Sequence, residues 1–174
     1  NYGNQPKGLI PFHKYQNNIL SSAFEEHLFE AVLYGSSKGS TKVHFTISED
    51  FKGAFTEEFN RIKTKVETIT NSKLEIFFSY QKKVTDTIAL NMDNTLFLDN
   101  DRLLFRPSGH GALIENLNDI EADIVFIKNI DNVVAYKYKH QVARYKKILG
   151  GVLLELRAKV YGYQKAMTAD KISK

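Results

Sequence analysis

Two glycines flanking a histidine, Gly109, His110 and Gly111, form the segment of the sequence whose residue types best suit ligand binding. Glycine lets the backbone approach a ligand closely, and a helix that begins at about Ala112 would offer unpaired N–H groups to an anion or a base. The ligand could be a phosphate or the edge of a pyrimidine. A Gly-x-Gly sequence before a helix is more often a tight turn, and a lone histidine is more often a structural hydrogen-bonding group. The segment therefore supports a nucleotide-binding hypothesis only in combination with other residues.

A second candidate, Asp131, lies just after the apolar run 123–128, whose composition predicts a central strand. In an open α/β sheet the ligand cleft lies at the carboxyl ends of the strands. An aspartate there can bind Mg²⁺ through one carboxylate and leave the other coordination positions to water and substrate phosphates. The alternative is a turn in which Asn129, Asp131 and Asn132 bond to their own backbone. The residues alone support both interpretations equally.

Lys7 and Gln81 occupy two further places where a predicted sheet would open to solvent. Lys7 follows Pro6 and precedes the apolar LIPF segment, and a lysine at the mouth of a sheet can pair with phosphate oxygens during phosphoryl transfer. Gln81 ends the sequence IFFSYQ. For each residue alone, an ordinary polar loop position is the competing interpretation. The five histidines show no metal-ligand spacing and no Ser/His/Asp arrangement is evident, so hydrolase chemistry is not favoured.

The elements that would position these residues alternate between helix and strand. Apolar spacing predicts helices over 20–34, with Ser21 or Ser22 as the N-cap, and over about 49–68. Strands are predicted at 42–48, 73–80 and 123–128, with short strands and turns over 82–102. Because each crossover must carry the chain back over the sheet, this alternation predicts an α/β fold with a parallel sheet covered on both faces.

A long helix is predicted over about residues 138–165. The apolar residues on its predicted buried side are Val142, Tyr145, Ile148, Leu149, Val152 and Leu156. Gly150 and Gly151 lie inside it and predict a kink or a point of close packing.

Composition limits the functional classes. A chain of 174 residues fits one domain, residues 1–174, and a net charge of +4 does not favour bulk nucleic-acid binding. No apolar run is long enough for a membrane span, and the absence of cysteine excludes disulfides and thiolate chemistry. We therefore expect a soluble, cytoplasmic protein that binds neither membranes nor nucleic acid. The start, NYGNQPKGLIPF, lacks Met and resembles the middle of a loop, so further upstream sequence is expected.

Several motifs occur in an order that resembles the nucleotide-sugar pyrophosphorylases of the UDP-glucose and UDP-N-acetylhexosamine type. They are QPKGLIPF, FTISEDF, FFSYQ, RPSGHGALIENL and IKNIDN, which together span roughly residues 5–132. The wording PKGLIPFHKY, TDT, FRPSGHGALIENLND and FIKNIDNV is also similar to that of uncharacterised bacterial proteins grouped as a domain of unknown function. The resemblance implies a three-layer Rossmann-like nucleotidyltransferase fold with a mostly parallel sheet and helices on both faces.

The resemblance also implies an activity. In the pyrophosphorylases a sugar 1-phosphate attacks the α-phosphorus of a nucleoside triphosphate and releases pyrophosphate, while Mg²⁺ and a lysine stabilise the spread charge. The resemblance implies that Lys7 contacts the phosphates and that Asp131 binds Mg²⁺. It also implies that the base is recognised by Gln81, Gly109, His110 and Gly111.

Three departures from the family pattern are visible. The family's glycine-rich loop would lie before Pro6, outside this sequence, and its proline after the glutamine element is missing, with Val84 near its place. Residues 133–174 have no counterpart of the family's sugar-binding region. Two alternatives to an active nucleotidyltransferase therefore stay open: a non-catalytic module that binds a nucleotide or nucleotide sugar, and a structural or interaction domain that has lost the site.

Overall fold

A computed structural model describes residue 3 and residues 5–169. The α-helices are α1 (Ala23–Gly35), α2 (Lys52–Thr70), α3 (Ile114–Asn118) and α4 (Tyr136–Thr168). The strands are β1 (Pro11–Lys14), β2 (Leu20–Ser22), β3 (Ser36–Ser37), β4 (Ser40–Ile47), β5 (Lys73–Tyr80), β6 (Thr87–Ile88), β7 (Leu98–Asp99), β8 (Arg102–Leu103) and β9 (Phe105–Arg106). Short 3₁₀ helices occur at Lys7–Leu9, Gln16–Asn18, Glu49–Phe51, Lys83–Thr85 and His110–Leu113.

The chain divides into two compact units. The first unit combines the described parts of residues 1–39 and 126–174, and the second unit is Ser40–Val125. The first unit therefore contains the N-terminal strands, α1 and the long helix α4. The second unit contains the strands β4 to β9 and the helices α2 and α3.

In the first unit, α1 forms the centre of the packing. Ser22 caps its N-terminus by accepting a hydrogen bond from the Glu25 N–H at 3.2 Å, as its sequence position predicts. Phe24 and Leu28 are fully buried on α1, and burial of each such side chain contributes about 1.5–3 kcal/mol. The strands β1 and β2 pair antiparallel just before the helix, and α4 packs against it.

The long helix α4 is present, but a different side of it is buried from the one predicted. Lys139, Ala143 and Gly150 are its buried residues, whereas Tyr145 and Leu149 are 62% and 67% exposed. Gly150 is a point of close packing, because an added Cβ there would lie 3.1 Å from Cζ of Phe126. The apolar side predicted from the sequence thus lies largely at the surface. Among the described helices, none combines the length and apolar character needed to cross a membrane.

In the second unit, β4 and β5 form a parallel pair. Their register runs from Ser40 opposite Lys73 to Ile47 opposite Tyr80, and α2 connects the two strands. The buried residues of α2 are Phe55, Phe59, Ile62 and Val66, spaced at three and four positions as an amphipathic helix requires. Asn71 ends the helix in the left-handed conformation, with φ of 50°. β5 has the predicted bounds, and those of β4 and α2 differ from the predicted ones by one to three residues.

The remaining strands of the second unit are only two residues long. β6 pairs antiparallel with β9, and β7 pairs antiparallel with β8. This arrangement matches the prediction of short strands and turns over 82–102.

The predicted three-layer Rossmann-like fold with a mostly parallel sheet is wrong. No sheet formed by the described residues has more than three strands. The pairings of β1 with β2, β6 with β9 and β7 with β8 are antiparallel, and the pairing of β4 with β5 is parallel. The run 123–128, predicted as a central strand, has no strand assignment. Within it, Phe126 contacts Tyr34 and Gly150, and Lys128 pairs with Glu30. Phe126 and Lys128 thus contact helices, whereas Val125 and Ile127 are 39% and 66% exposed and have no strand partner.

Candidate functional site

Lys7 and Asp131, 124 positions apart, meet in the first unit. Lys7 Nζ lies 3.5 Å from Oδ2 of Asp131, and the two side chains are 76% and 50% exposed. The Asn132 N–H donates to the Asn129 carbonyl at 3.1 Å, so Asp131 does lie in a turn. The side chain of Asp131 nevertheless pairs with Lys7. A surface ion pair of this kind contributes at most about 1 kcal/mol to stability, which leaves both groups available to a ligand.

The segment just before Asp131 is held by two buried residues of α1. The carboxylate of Glu30, which is fully buried, pairs with Lys128. His27 Nε2 lies 2.9 Å from the carbonyl oxygen of Ile130. Burial lowers the pKa of His27, and the hydrogen bond to that carbonyl opposes the shift only in part. His27 is therefore neutral near pH 7 and donates its Nε2–H to the Ile130 carbonyl.

The segment just after Asp131 is held by Lys139, the buried lysine of α4. Its Nζ lies 2.8 Å from Oε2 of Glu26 and donates to the backbone carbonyls of Glu26 and Val134, each at 3.0 Å. Burial lowers the pKa of Lys139 against the opposing effect of Glu26. Burial by itself would raise the pKa of Glu26, but hydrogen bonds from Lys139 and Tyr15 outweigh it and hold that pKa below its ordinary value.

Tyr15 completes this buried network. Its hydroxyl donates to Oε1 of Glu26 at 2.6 Å and accepts from the Tyr136 N–H at 3.0 Å. Burial and the hydrogen bond to Glu26 raise the pKa of Tyr15 to about 12. His13 Nδ1 lies 3.2 Å from the same carboxylate oxygen. The backbone on both sides of Asp131 is thus fixed by buried polar contacts, which preorganises an exposed carboxylate.

The glycine segment lies in the second unit. Gly109 precedes the 3₁₀ helix His110–Leu113, which continues into α3, so the α-helix begins slightly later than predicted. Gly109 has φ of −70°, and an added Cβ at Gly109 or Gly111 would meet no atom within 4 Å. Steric crowding within the chain does not explain either glycine, and the space beside both is open.

Gln81, the remaining predicted site residue, directly follows the last residue of β5. A side chain of α3 contacts the same end of the strand. Asn116 of α3, which is 4% exposed, donates from Nδ2 to the Tyr80 carbonyl at 2.7 Å. Lys82 Nζ lies 2.8 Å from Asp119 and 3.8 Å from Glu115. The hydrogen bond to Asp119 raises the pKa of Lys82. These contacts bring the helix that follows the glycine segment to the strand end that carries Gln81.

The predicted residues therefore fall into two groups, Lys7 with Asp131 in the first unit and Gln81 with Gly109, His110 and Gly111 in the second. Sequence reasoning missed the buried Glu26, His27 and Glu30 of α1 and their partner Lys139. A signal was available, since AFEEHLFEAVLY places acidic residues and a histidine among the apolar positions of a helix. It also missed Asn116, for which the sequence holds no distinguishing signal.

Asp131 would have to bind a metal ion with few protein ligands. Within residue 3 and residues 5–169, no group of three or more His, Cys, Asp or Glu side chains is arranged to hold a metal ion. One exposed carboxylate fits Mg²⁺ that is bound mainly through water and substrate phosphates, as is usual for nucleotide-bound magnesium. It does not fit an all-protein metal site.

The protein is a mixed helix and strand protein with small sheets, two polar clusters and one long helix. The chain belongs to the family described as Domain of unknown function (DUF4301), which matches residues 1–174. No curated protein and no solved structure matches the chain significantly. The predicted membership in a domain of unknown function is confirmed, and the relationship to pyrophosphorylases stays a prediction.

Proposed function

We propose that the protein is nucleotidyltransferase-like and condenses a sugar 1-phosphate with a nucleoside triphosphate to release pyrophosphate. The observation that supports this proposal is the pairing of Lys7 with Asp131 across 124 positions of sequence. A cation for phosphate oxygens and a carboxylate for magnesium are the two groups that phosphoryl chemistry needs side by side. Both are exposed, while the backbone beneath Asp131 is held by buried contacts.

In the proposed reaction, an oxygen of the sugar phosphate forms a bond to the α-phosphorus, and the bond from that phosphorus to the bridging oxygen of pyrophosphate breaks. Negative charge accumulates on the phosphoryl oxygens and on the leaving group. Lys7 would neutralise part of this charge as a compact ammonium group. Mg²⁺, when bound with the nucleotide, supplies further charge neutralisation, and Asp131 would be its protein ligand.

Base recognition is assigned by this proposal to Gln81 and the Gly109–Gly111 segment. The open space beside Gly109 and Gly111 supports it, because a ligand could lie against the backbone there. A cytoplasmic location, where nucleoside triphosphates are abundant, belongs to the same proposal.

Pyrophosphate exchange tests the activity directly. The purified protein is incubated with Mg²⁺, labelled pyrophosphate, and UDP-, CDP-, GDP- or ADP-glucose or the corresponding N-acetylglucosamine derivatives, and label in the nucleoside triphosphate is measured. We expect exchange with at least one nucleotide. Lys7→Ala and Asp131→Asn should each lower kcat by about 100-fold or more, since interactions of this type are worth several kcal/mol in the transition state.

Lys14→Ala is the matched control, because Lys14 is an exposed lysine of the neighbouring strand β1. It should leave exchange unchanged, and all three variants should keep the wild-type free energy of unfolding within about 0.5 kcal/mol. Nucleotide binding without exchange, unaffected by Asp131→Ala, would indicate the non-catalytic binding module. Absence of both exchange and thermal stabilisation by any nucleotide would overturn the proposal.

A further inference from the structure

Two side-chain amides near the end of β5 each have a buried polar atom without a hydrogen-bond partner among the residues that the structure describes. They are Nε2 of Gln81, a donor, and Oδ1 of Asn116, an acceptor. A buried polar group left unpaired lowers the stability of the folded state, and the large majority of such groups in folded proteins are paired. Two of them beside one strand end therefore need a physical explanation.

The orientation of the Asn116 amide follows from its surroundings. Its nitrogen donates to the Tyr80 carbonyl at 2.7 Å, and a carbonyl can only accept. The oxygen must then be the atom without a partner. Because Gln81 directly follows Tyr80, the unpaired acceptor of Asn116 is anchored one residue away from the backbone of Gln81.

We propose that Asn116 and Gln81 form an amide pair that recognises the edge of a nucleobase, with Gln81 donating to a ring acceptor and Asn116 accepting from an N–H. The choice of ligand rests on the proposed nucleotidyltransferase-like function and names a specificity-determining residue, Asn116, for it. Nucleobase edges carry acceptors and N–H donors side by side, which is the complement of one free donor and one free acceptor.

A second observation favours a flat ligand at this place. The Gly109–Gly111 segment runs directly into the helix that carries Asn116, and side-chain atoms added at either glycine would meet nothing within 4 Å. A planar ring can therefore approach the backbone where a larger residue would project into the same space. The ion pairs of Lys82 with Glu115 and Asp119 hold this helix from its exposed side.

The other two buried atoms without a hydrogen-bond partner belong to side chains that lie beside a group of the chain that can pair with them. His13 Nδ1 lies 3.2 Å from the Glu26 carboxylate, and Glu30 is already paired with Lys128 through its other oxygen. Each of these two residues thus lies beside a side chain of the chain itself that can pair with it. The neutral amides of Gln81 and Asn116 have no such partner among the described residues at the atoms in question.

Side-chain amide NMR tests the proposal on the full chain. Uridine, cytidine, guanosine and adenosine are added in turn at millimolar concentration to the ¹⁵N-labelled protein, and the NH₂ signals of Gln81 and Asn116 are followed. We expect both signals to shift with one nucleoside more than with the others. The NH₂ signal of Asn118, an exposed asparagine on the same helix, should stay unchanged.

Substitutions provide the second arm. Gln81→Glu and Asn116→Ala should each weaken the affinity for the preferred nucleoside triphosphate by about tenfold, the loss expected for one hydrogen bond. Affinity for inorganic tripolyphosphate and for the other nucleotides should not change, and Asn118→Ala should match wild type. If Asn116→Ala does not fold, the NMR titration of the wild-type protein still tests whether a nucleoside contacts the two amides.

The proposal is overturned if no nucleoside shifts the two amide signals, or if folded Asn116→Ala binds every nucleotide as wild type does. Failure of the proposed function has a different signature. In that case pyrophosphate exchange is absent while the amide signals still respond to a nucleoside.

Discussion

The turn that carries Asp131 in the first unit and the segment Gly109–Gly111 in the second differ in how the buried side chains near them are paired. In both units some buried polar atoms lack a hydrogen-bond partner among the described residues, and in the first unit these atoms belong to Glu30 and His13. Behind Asp131, the buried charges of Glu26, Glu30 and Lys139 all have partners within the chain. Beside the glycine segment, the buried amide atoms of Gln81 and Asn116 do not.

The difference separates structural from ligand-binding roles. Removing one member of a buried ion pair is costly because an uncompensated charge remains, so a paired network holds one backbone geometry. An unpaired neutral amide is less costly and gains a bond when a ligand arrives. Under the two proposals above, the first unit's network positions Asp131 and the second unit's amides contact a ligand. Three predictions test the structural half of this comparison.

The largest effect should come from Lys139→Met. This change leaves the Glu26 carboxylate buried without its cation, and we expect the free energy of unfolding to fall by about 3–5 kcal/mol. Urea denaturation followed by circular dichroism measures it. Lys147→Met, an exposed lysine on the same helix, should change stability by no more than about 0.5 kcal/mol.

A double variant sharpens this prediction. Glu26→Gln combined with Lys139→Met should recover part of the loss, because the two groups form one pair and their effects are not additive. Equal, small effects of Lys139→Met and Lys147→Met would show that the network does not hold the fold.

The second prediction concerns acid. Because burial lowers the pKa of His27 below its ordinary value of 6.5, the unfolded chain binds a proton that the folded chain does not as the pH falls from about 6.5 towards the folded pKa. Stability should therefore decrease over that range, by at most about 1.4 kcal/mol per pH unit for one proton. Urea denaturation between pH 7.5 and 5 measures the slope.

His27→Gln should reduce this slope. His44 of the second unit is exposed, but partial desolvation also lowers its pKa, so it contributes to the same pH range and His44→Gln is the matched comparison. Glu26 is an acid, so its lowered pKa affects stability in a different pH range from that of the histidines. Its lowered pKa contributes stability that is present above its ordinary value of 4.5 and is lost at lower pH. A slope above pH 5 that is undiminished in the double variant His27→Gln with His44→Gln would contradict the assignment to these residues.

The smallest effect separates two adjacent glycines of α4. At Gly151 an added Cβ meets nothing within 4 Å, so Gly151→Ala should stabilise the protein by about 0.5–1 kcal/mol through helix propensity. At Gly150 the new methyl would lie 3.1 Å from the Phe126 ring, so Gly150→Ala should gain less or lose stability. Thermal unfolding of the two variants measures the difference, and equal gains would show that the Phe126 contact is not tight.

Local elements were largely predictable from local chemistry. The helix α1 with its Ser22 cap, the pair β4 and β5, the helix α2 between them and the long helix α4 all follow from apolar spacing and capping residues. Spacing alone could not predict the run 123–128 correctly, because an apolar run indicates burial without naming the partner, and Val125 and Ile127 of this run are exposed. The same limit explains why the predicted apolar side of α4 proved to be exposed.

The candidate site shows the same division. The sequence by itself determined which residues could do phosphate and base chemistry, since the types and order of Lys7, Gln81, Gly109 and Asp131 are visible without coordinates. Only the tertiary structure decided that Lys7 meets Asp131, that Lys139 is the buried partner of Glu26, and that Asn116 reaches the strand end beside Gln81. These contacts join residues 36 to 124 positions apart. At such separations chain proximity depends on how whole helices pack, and local spacing does not encode that packing.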